Sequence, residues 1–403
     1  MHKFPKRNII IPKKEFRSIL KILFEPSIKK YQHVKAFELK FKEYVKSNDA
    51  IAVSSGRAAL NLILHGCGTS KGSEILLCAY NFIGVPESLI QDGYVPVFVE
   101  ADKNTYQIDI NAIEKKITEK TKAIIVTHLF GQLSDIETIK CIAQKHNILI
   151  IEDAAQALGS YYKNRFAGTI ADVGFFSFTG SKPLNTSYGG MIVTNSTALS
   201  ESIRQNLSKN SSVKTSIAFF SRLKTYAYAL SINRVFYSFI IYPLNILFNK
   251  LNIDMFEFYK KIDKSFSEYS VNQLNYIQGF VGSNQIDIIS KLIAIRGTFG
   301  QKLISKLDHS IATQLILDNS KPCYFMIPLK AKDKHIAYKK LLNRGIDTNF
   351  VYAQDCSYLT KSNNPVALNL SNSILTINLP FNLTEEEIVH ISEVINEMKE
   401  LFE

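Results

Sequence analysis

Residues 146–195, HNILIIEDAAQALGSYYKNRFAGTIADVGFFSFTGSKPLNTSYGGMIVTN, constrain more than any other stretch what this chain can fold into. Residues 147–151 are a short apolar run rich in β-branched side chains, the composition of a parallel strand covered on both faces. Asp153 stands just past its end and opens a helix through DAAQALGS; residues 175–178 make a second strand, followed by Thr179, Gly180, Ser181 and Lys182. Gly189 and Gly190 lead into a third strand, MIVTN, and glycine there marks a close backbone approach. Ligands of open α/β sheets bind beyond the carboxyl ends of strands, so an acid and an amine leaving neighbouring strand ends mark a candidate site.

That pair suits pyridoxal phosphate. A lysine amine can condense with the cofactor aldehyde, and an aspartate beside the pyridine nitrogen keeps it protonated so that the ring accepts electrons. Lys182 and Asp153 are the candidates for these roles. Each residue also has a plainer reading. Asp153 with Gln156 three positions on is a helix cap with a capping-box partner, and Lys182 before Pro183 is a solvated loop lysine.

Other strands are expected at 50–53, 74–79, 93–99 and 123–128. Helices are expected from Lys35, from Pro86 to Gln91, and after Ser134 or Asp135 as cap. This alternation gives a mostly parallel sheet flanked by helices. The 403 residues exceed the usual single domain, so a large domain with a smaller C-terminal α/β partner is expected. In the smaller one, a helix over 286–307, strands in CYFMIPL and ILTINLP, a helix through AYKKLLNRG and a final helix capped by Thr384 and Glu387 follow in order. Our division is an arm over 1–30, a large domain over 31–210, an apolar insertion over 211–265, an interface helix region over 266–284 and a small domain over 285–403.

The spaced motifs EDAAQA, FSF, a lysine after a three-residue gap, and GG resemble the DegT/DnrJ/EryC1/StrS family of sugar aminotransferases, of the fold type I pyridoxal phosphate enzymes. The resemblance implies an α/β fold with a mostly parallel seven-stranded sheet and a smaller C-terminal α/β domain. It also implies a homodimer that moves an amino group from an amino acid, expected to be L-glutamate, onto a nucleotide-linked keto sugar; no nucleic-acid partner is expected, and the cysteine pattern described below points to the cytoplasm. It further implies that the turn of Ser55, Gly56 and Arg57 binds the cofactor phosphate, where relatives usually have threonine in place of Arg57. Phe82 would stack on the ring, Gln156 would contact its hydroxyl, and Ser177, with Ser181 beside the lysine, would hold the phosphate. The plainer readings are a Ser-capped helix with no ligand, a core aromatic and a strand serine. Where relatives carry an Asn-aromatic-Arg triplet reaching the partner subunit, this chain has Val271, Asn272 and Gln273, so Asn272 is the substitute after a one-residue slip. The Pro-x-His of relatives is missing from Val351 to Ser357, VYAQDCS, a stretch that borders the substrate in the family. Members acting as dehydratases carry histidine at the lysine position, which Lys182 argues against. A non-catalytic protein keeping the fold for binding or regulation is the other alternative.

The net charge of +12 fits nucleic acid, anionic lipid or phosphorylated substrates. Five cysteines, an odd count with no CxxC pair, fit a reducing compartment. The first residues lack the continuous apolar core of a signal peptide. Between Ser211 and Lys261 lies a segment dense in aromatic and apolar residues where the family has a shorter connection. Its run VFYSFIIYPLNILF, residues 235–248, is shorter than the ~20 residues of a spanning helix, and Pro243 interrupts it. Around it lie Arg222, Lys224, Arg234, Lys250, Lys260 and Lys261. Two readings stand: the segment packs into the enzyme, or residues 216–260 lie on the inner face of a membrane with the apolar side in the headgroup boundary.

Overall fold

The computed structural model describes residues 3–5, 9, 11–12, 14–180, 182–251, 269–349 and 352–403. Ser181, Val351, Lys260 and Lys261 lie outside the described residues. The centre is a seven-stranded sheet of β1 (Asp49–Val53), β2 (Glu74–Cys78), β3 (Val95–Val99), β4 (Thr121–Thr127), β5 (Leu149–Asp153), β6 (Val173–Ser177) and β7 (Gly190–Thr194). Their spatial order is β1-β7-β6-β5-β4-β2-β3, and β7 alone runs against the others. The strands are short apolar runs because helices cover both faces, so most residues, not alternate ones, are buried.

The flanking helices include α1 (Glu15–Ile22), α2 (Ser27–Val45), α3 (Gly56–Gly66), α4 (Gly84–Gln91), α5 (Ile136–Lys145) and α6 (Thr197–Ser208). Asp135 is the cap of α5, its carboxylate accepting from the Thr138 N–H at 3.2 Å. The long α9 (Tyr276–Lys306), which follows two helices described below, lies against α2. A Cβ on Gly282 would come within 2.5 Å of the Phe37 ring, so glycine is what lets the two helices approach. Its first half feeds the core around the sheet through Ile286, Ile289 and Ile293, and its far end feeds a second core through Leu303.

That second core is built on the antiparallel pair β8 (Ile327–Lys330) and β9 (Ile374–Ile377) with helices α10 (Lys334–Asn343) and α12 (Glu385–Asn396), while α11 (Pro365–Ser373) gives Ala367 and Leu370 to the core around the large sheet. Thr384 and Glu387 cap α12 reciprocally, as the sequence pattern predicts. The strand expected from CYFMIPL begins only at Ile327. Nor is the N-terminus a detached arm: Phe4 is buried in the second core, and Ile19 and Ile22 pack with Ala218, Ile277 and Val281.

The insertion folds as α7 (Thr215–Ser231) and α8 (Arg234–Lys250), bent by 58° to one another. Pro243 does not interrupt α8. A π-helical turn, Tyr237–Ile241, precedes it, and Pro243 falls at the start of the next helical piece, where its missing N–H needs no partner. A second correction concerns DAAQALGS, which is a series of turns and not a helix. The Asp153 carboxylate does accept from the Ala155 N–H at 3.0 Å, but the Gln156 side-chain oxygen is used by the Phe130 N–H at 2.8 Å, and Gly159 takes a φ of +88°. These ties hold the backbone away from helical dihedrals.

Candidate active site

Lys182 sits on the loop between β6 and β7. Its Nζ donates to the Tyr352 hydroxyl at 2.7 Å and lies 4.7 Å from the Phe325 ring centroid. Nζ also lies 5.4 Å from the Tyr352 ring centroid, so two aromatic rings flank the amine, and the Phe82 ring follows on the Tyr352 ring with centroids 6.4 Å apart. The loop is braced from behind. Asn185 accepts the Ser187 N–H on its side-chain oxygen at 2.7 Å and donates from its amide to the Gly180 carbonyl. Its backbone N–H and carbonyl are both taken by the Gln285 side chain, at 2.8 and 3.0 Å. The buried Arg222 of α7 donates from Nη1 to the same carbonyl at 2.9 Å.

Asp153 is the last residue of β5, flanked in register by Thr127 on β4 and Phe175 on β6. Its neighbour Glu152 points to the opposite face, as strand alternation requires, and serves the fold. The Glu152 carboxylate accepts the N–H groups of Gly168, Ile170 and Ala171 at 2.7, 2.6 and 2.6 Å, and the His128 Nε2–H at 3.0 Å. Asp153 is bonded more sparsely. Burial pushes its carboxyl above the usual carboxylate range; the Ala155 N–H, the charges of Lys182 and His128, and the Thr127 hydroxyl pull the other way without prevailing. That hydroxyl accepts from the Asn81 side chain at 3.0 Å. A buried carboxylate short of positive charge at a strand end fits a protonated ring nitrogen.

The sign of this shift gives a test. A carboxyl whose pKa is raised by folding penalises the folded state once the pH exceeds its unfolded value of about 3.9, and the penalty grows until the folded pKa is passed. Asp153→Asn in cofactor-free protein is therefore expected to raise the melting temperature by a few degrees at neutral pH, a gain that shrinks as the pH is lowered toward ~4. A melting temperature lowered at neutral pH in the absence of cofactor would remove the uncompensated charge from the account.

At the other side, Ser55 caps α3, its hydroxyl accepting from the Ala58 N–H at 3.0 Å. A Cβ on Gly56 would lie 3.2 Å from the Ser177 Cβ, so Ser177 borders the first turn of α3, and its hydroxyl is 3.1 Å from that of Thr179. Gly190 lies against the same turn: a Cβ there would meet the Ser55 carbonyl oxygen at 2.6 Å, which is the close approach read from the paired glycines. Ser55, Gly56 and Ser177 thus converge at the N-terminus of α3, where the helix dipole favours an anion. Arg57 is engaged elsewhere, its guanidinium 5.2 Å from the Tyr269 ring centroid. The Asn272 carbonyl accepts from the Ser54 N–H at 3.0 Å and its N–H donates to the Ser54 hydroxyl at 3.2 Å, while its side chain meets Ser270 of its own chain at 2.7 Å. Gln156 stays buried, with its oxygen on Phe130.

The profile described as the DegT/DnrJ/EryC1/StrS aminotransferase family matches residues 10–233, more than half of the chain. The chain belongs to that family. GDP-perosamine synthase of Escherichia coli O157:H7 is 41% identical over 170 residues, 42% of this chain and 47% of that protein. The dTDP-3-amino-3,6-dideoxy-alpha-D-galactopyranose transaminase of Aneurinibacillus thermoaerophilus is 41% identical over 175 residues, 43% of this chain and 48% of that protein. The chain spans about half the length of the curated relatives it matches. Among solved structures, S. venezuelae DesV, in complex with a ketimine intermediate, superposes with a TM-score of 0.76 at 21% identity, covering 99% of this chain and 100% of that one. The fold is therefore that of the fold type I aminotransferases of this family.

Sequence reasoning missed Tyr352, Phe325 and Thr127. Tyr352 lies in the stretch already singled out as bordering the substrate, which was its signal. Phe325 lies in a segment read as a strand of the small domain and carried none.

Proposed function

We propose that this chain is a pyridoxal-phosphate-dependent sugar aminotransferase that moves an amino group from an amino acid, L-glutamate, to a nucleotide-linked keto sugar for polysaccharide synthesis, working as a homodimer. The observation that supports this reading is the Lys182 amine set against the Phe325 and Tyr352 rings on the loop after β6, with the buried Asp153 at the end of the neighbouring strand β5. Bound pyridoxal phosphate would supply an aldehyde that captures amines and a ring that accepts electrons. Lys182 would hold the cofactor and, once displaced by the donor amine, carry the proton at its Nζ between donor and acceptor carbons. Asp153 would hold the proton on the ring nitrogen. Ser55, Gly56, Ser177 and the first turn of α3 would bind the phosphate, and Phe82 would cover one ring face. Gln156 is retained as a ring-hydroxyl contact only through its amide nitrogen. Arg57 and Asn272 would need to leave the partners they have here. A lysine at position 182 favours transamination over dehydration, for which relatives carry histidine.

Tyr352 accepts the hydrogen bond from the amine and so would aim Nζ during proton transfer. Tyr352→Phe keeps the ring and removes the hydroxyl. It is expected to lower kcat by roughly ten- to a hundredfold, with little change in KM for the donor, and to alter the pH profile of kcat. Unchanged kcat with an unchanged profile would leave Tyr352 a wall of the site only. The whole reading is tested by offering glutamate with a panel of nucleotide-linked keto sugars and measuring 2-oxoglutarate. Failure of the cofactor-loaded protein to release 2-oxoglutarate from glutamate, or the matching keto acid from any other amino acid offered, even in the half reaction, would overturn it.

A further inference from the structure

A helix at the surface of a globular protein ordinarily turns its apolar stripe inward and its polar residues to water. Helix α8 is arranged the other way round. Its inward contacts are polar: Arg234 makes a two-pronged pair with Glu387 at 2.7 and 2.9 Å. The buried Tyr237 donates to Asp347 at 2.8 Å, and the Tyr242 hydroxyl donates to the Leu342 carbonyl at 2.9 Å. The Ser238 hydroxyl accepts from the Lys3 backbone at 3.2 Å. Its outward face carries Phe236, Phe239, Ile240, Leu244, Leu247 and, just past its end, Leu251. Phe239 is 79% exposed and Leu247 is 50% exposed. Phe236, Ile240, Leu244, Leu247 and Leu251 follow one another three or four residues apart, with Phe239 adjoining Ile240, which keeps them on one side of the helix. Side chains so anchored cannot roll the apolar face inward without breaking four tertiary contacts, so the face is held outward and not merely left uncovered.

Charge identifies what the face meets. From residue 202 to residue 253 the sequence contains no aspartate or glutamate, while it contains Arg204, Lys209, Lys214, Arg222, Lys224, Arg234 and Lys250. Of the bases on α7 and α8, Arg222 and Arg234 are neutralised by Glu15 and Glu387. Lys224 on α7 and Lys250 at the end of α8 are exposed, and Lys250 stands three residues after Leu247 and next to Leu251. A second copy of this chain docking the same patch on itself would bring to these lysines no carboxylate from residues 202–253. A surface that offers both hydrocarbon and anionic groups satisfies both halves of the pattern. Neither α7 nor α8 is long enough to cross a bilayer, and the two meet at 58°. A helix of this length lying in the headgroup plane spans about 25 Å, with its apolar side at the acyl boundary.

We infer that the outward face of α8, with Lys250 at its end and Lys224 on the adjoining α7, docks the protein in-plane on an anionic lipid surface. The two readings of the insertion are then both realised: its inner side belongs to the enzyme and its outer side to the membrane. Removing residues 216–260 is for this reason the wrong test, because it would take Arg222 and Tyr237 out of the fold. Instead, the full chain loaded with cofactor is floated with phosphatidylcholine vesicles, with and without phosphatidylglycerol, at low and high salt. The wild-type protein is expected to float with the anionic vesicles at low salt and to remain below otherwise. Phe239→Asp with Leu247→Asp is expected to cut the floated fraction at least tenfold while leaving the melting temperature and the glutamate half reaction unchanged. Lys224→Glu with Lys250→Glu, which spares the apolar face and keeps the test open should the first pair disturb folding, is expected to weaken binding by roughly fivefold per charge removed. Wild-type protein that never floats overturns the inference. So does a solution mass that falls when Phe239→Asp is introduced, since the face would then be a protein contact.

Discussion

Lys182→Ala is expected to eliminate covalent capture of pyridoxal phosphate by the chain and to lower transamination by at least ~10⁴-fold, since both the attachment point and the proton carrier go with one amine. Borohydride treatment followed by peptide mass analysis reads the first effect directly: wild type should carry the reduced cofactor on the peptide containing residue 182 and the variant should carry none. Among the described residues, the Lys182 amine is the one set against both the Phe325 and Tyr352 rings, 4.7 and 5.4 Å from their centroids. If the variant is labelled at another lysine to the same extent, the chemistry belongs elsewhere. The fold should survive, because Lys182 contributes one hydrogen bond to Tyr352 in the described structure.

Arg222→Ala should act on the fold instead. Arg222 is among the largest fully buried side chains, and its Nε and Nη2 donate to Glu15 at 2.7 and 2.5 Å while Nη1 serves the loop of Lys182. Truncating it leaves a buried carboxylate without its partner and typically costs about 3–5 kcal/mol. For a chain of this size that corresponds to a melting temperature lower by on the order of ten degrees. Arg222→Met combined with Glu15→Leu removes both charges and should recover most of the loss, although Asn185 still loses a donor. A single-substitution loss below ~1 kcal/mol would show the pair to be hydrated and unimportant.

Much of the sheet was legible because its strands are continuous apolar runs, and a run buried on both faces needs no neighbour to declare itself. The acid at the end of β5 and the lysine after β6 were legible for the same reason, since strand ends fix where they emerge. DAAQALGS was misread because its residues favour helix locally, while Gln156 and Gly159 answer to Phe130, Tyr44 and Ile293, which are remote in sequence. Tyr352 reaches Lys182 across 170 residues, and no local pattern encodes such a meeting. The apolar content of α8 was plain, but which side faced outward depended on Glu387, Asp347 and Leu342, again far along the chain.

The tie from Glu15 through Arg222 to Asn185, and on to Gln285, joins four stretches that a linear diagram would assign to an arm, an insertion, a catalytic loop and a long helix. Anyone recombining this protein with a relative that has a shorter connection inherits that bond as a compatibility rule. A swap of the insertion alone exchanges Arg222 but leaves its acid and its carbonyl behind, and the fault would surface in the loop that bears Lys182. Chimeras should tolerate such a swap only when residues 15, 185, 222 and 285 travel as one set, which makes the insertion a graft with fixed companions and not a cassette.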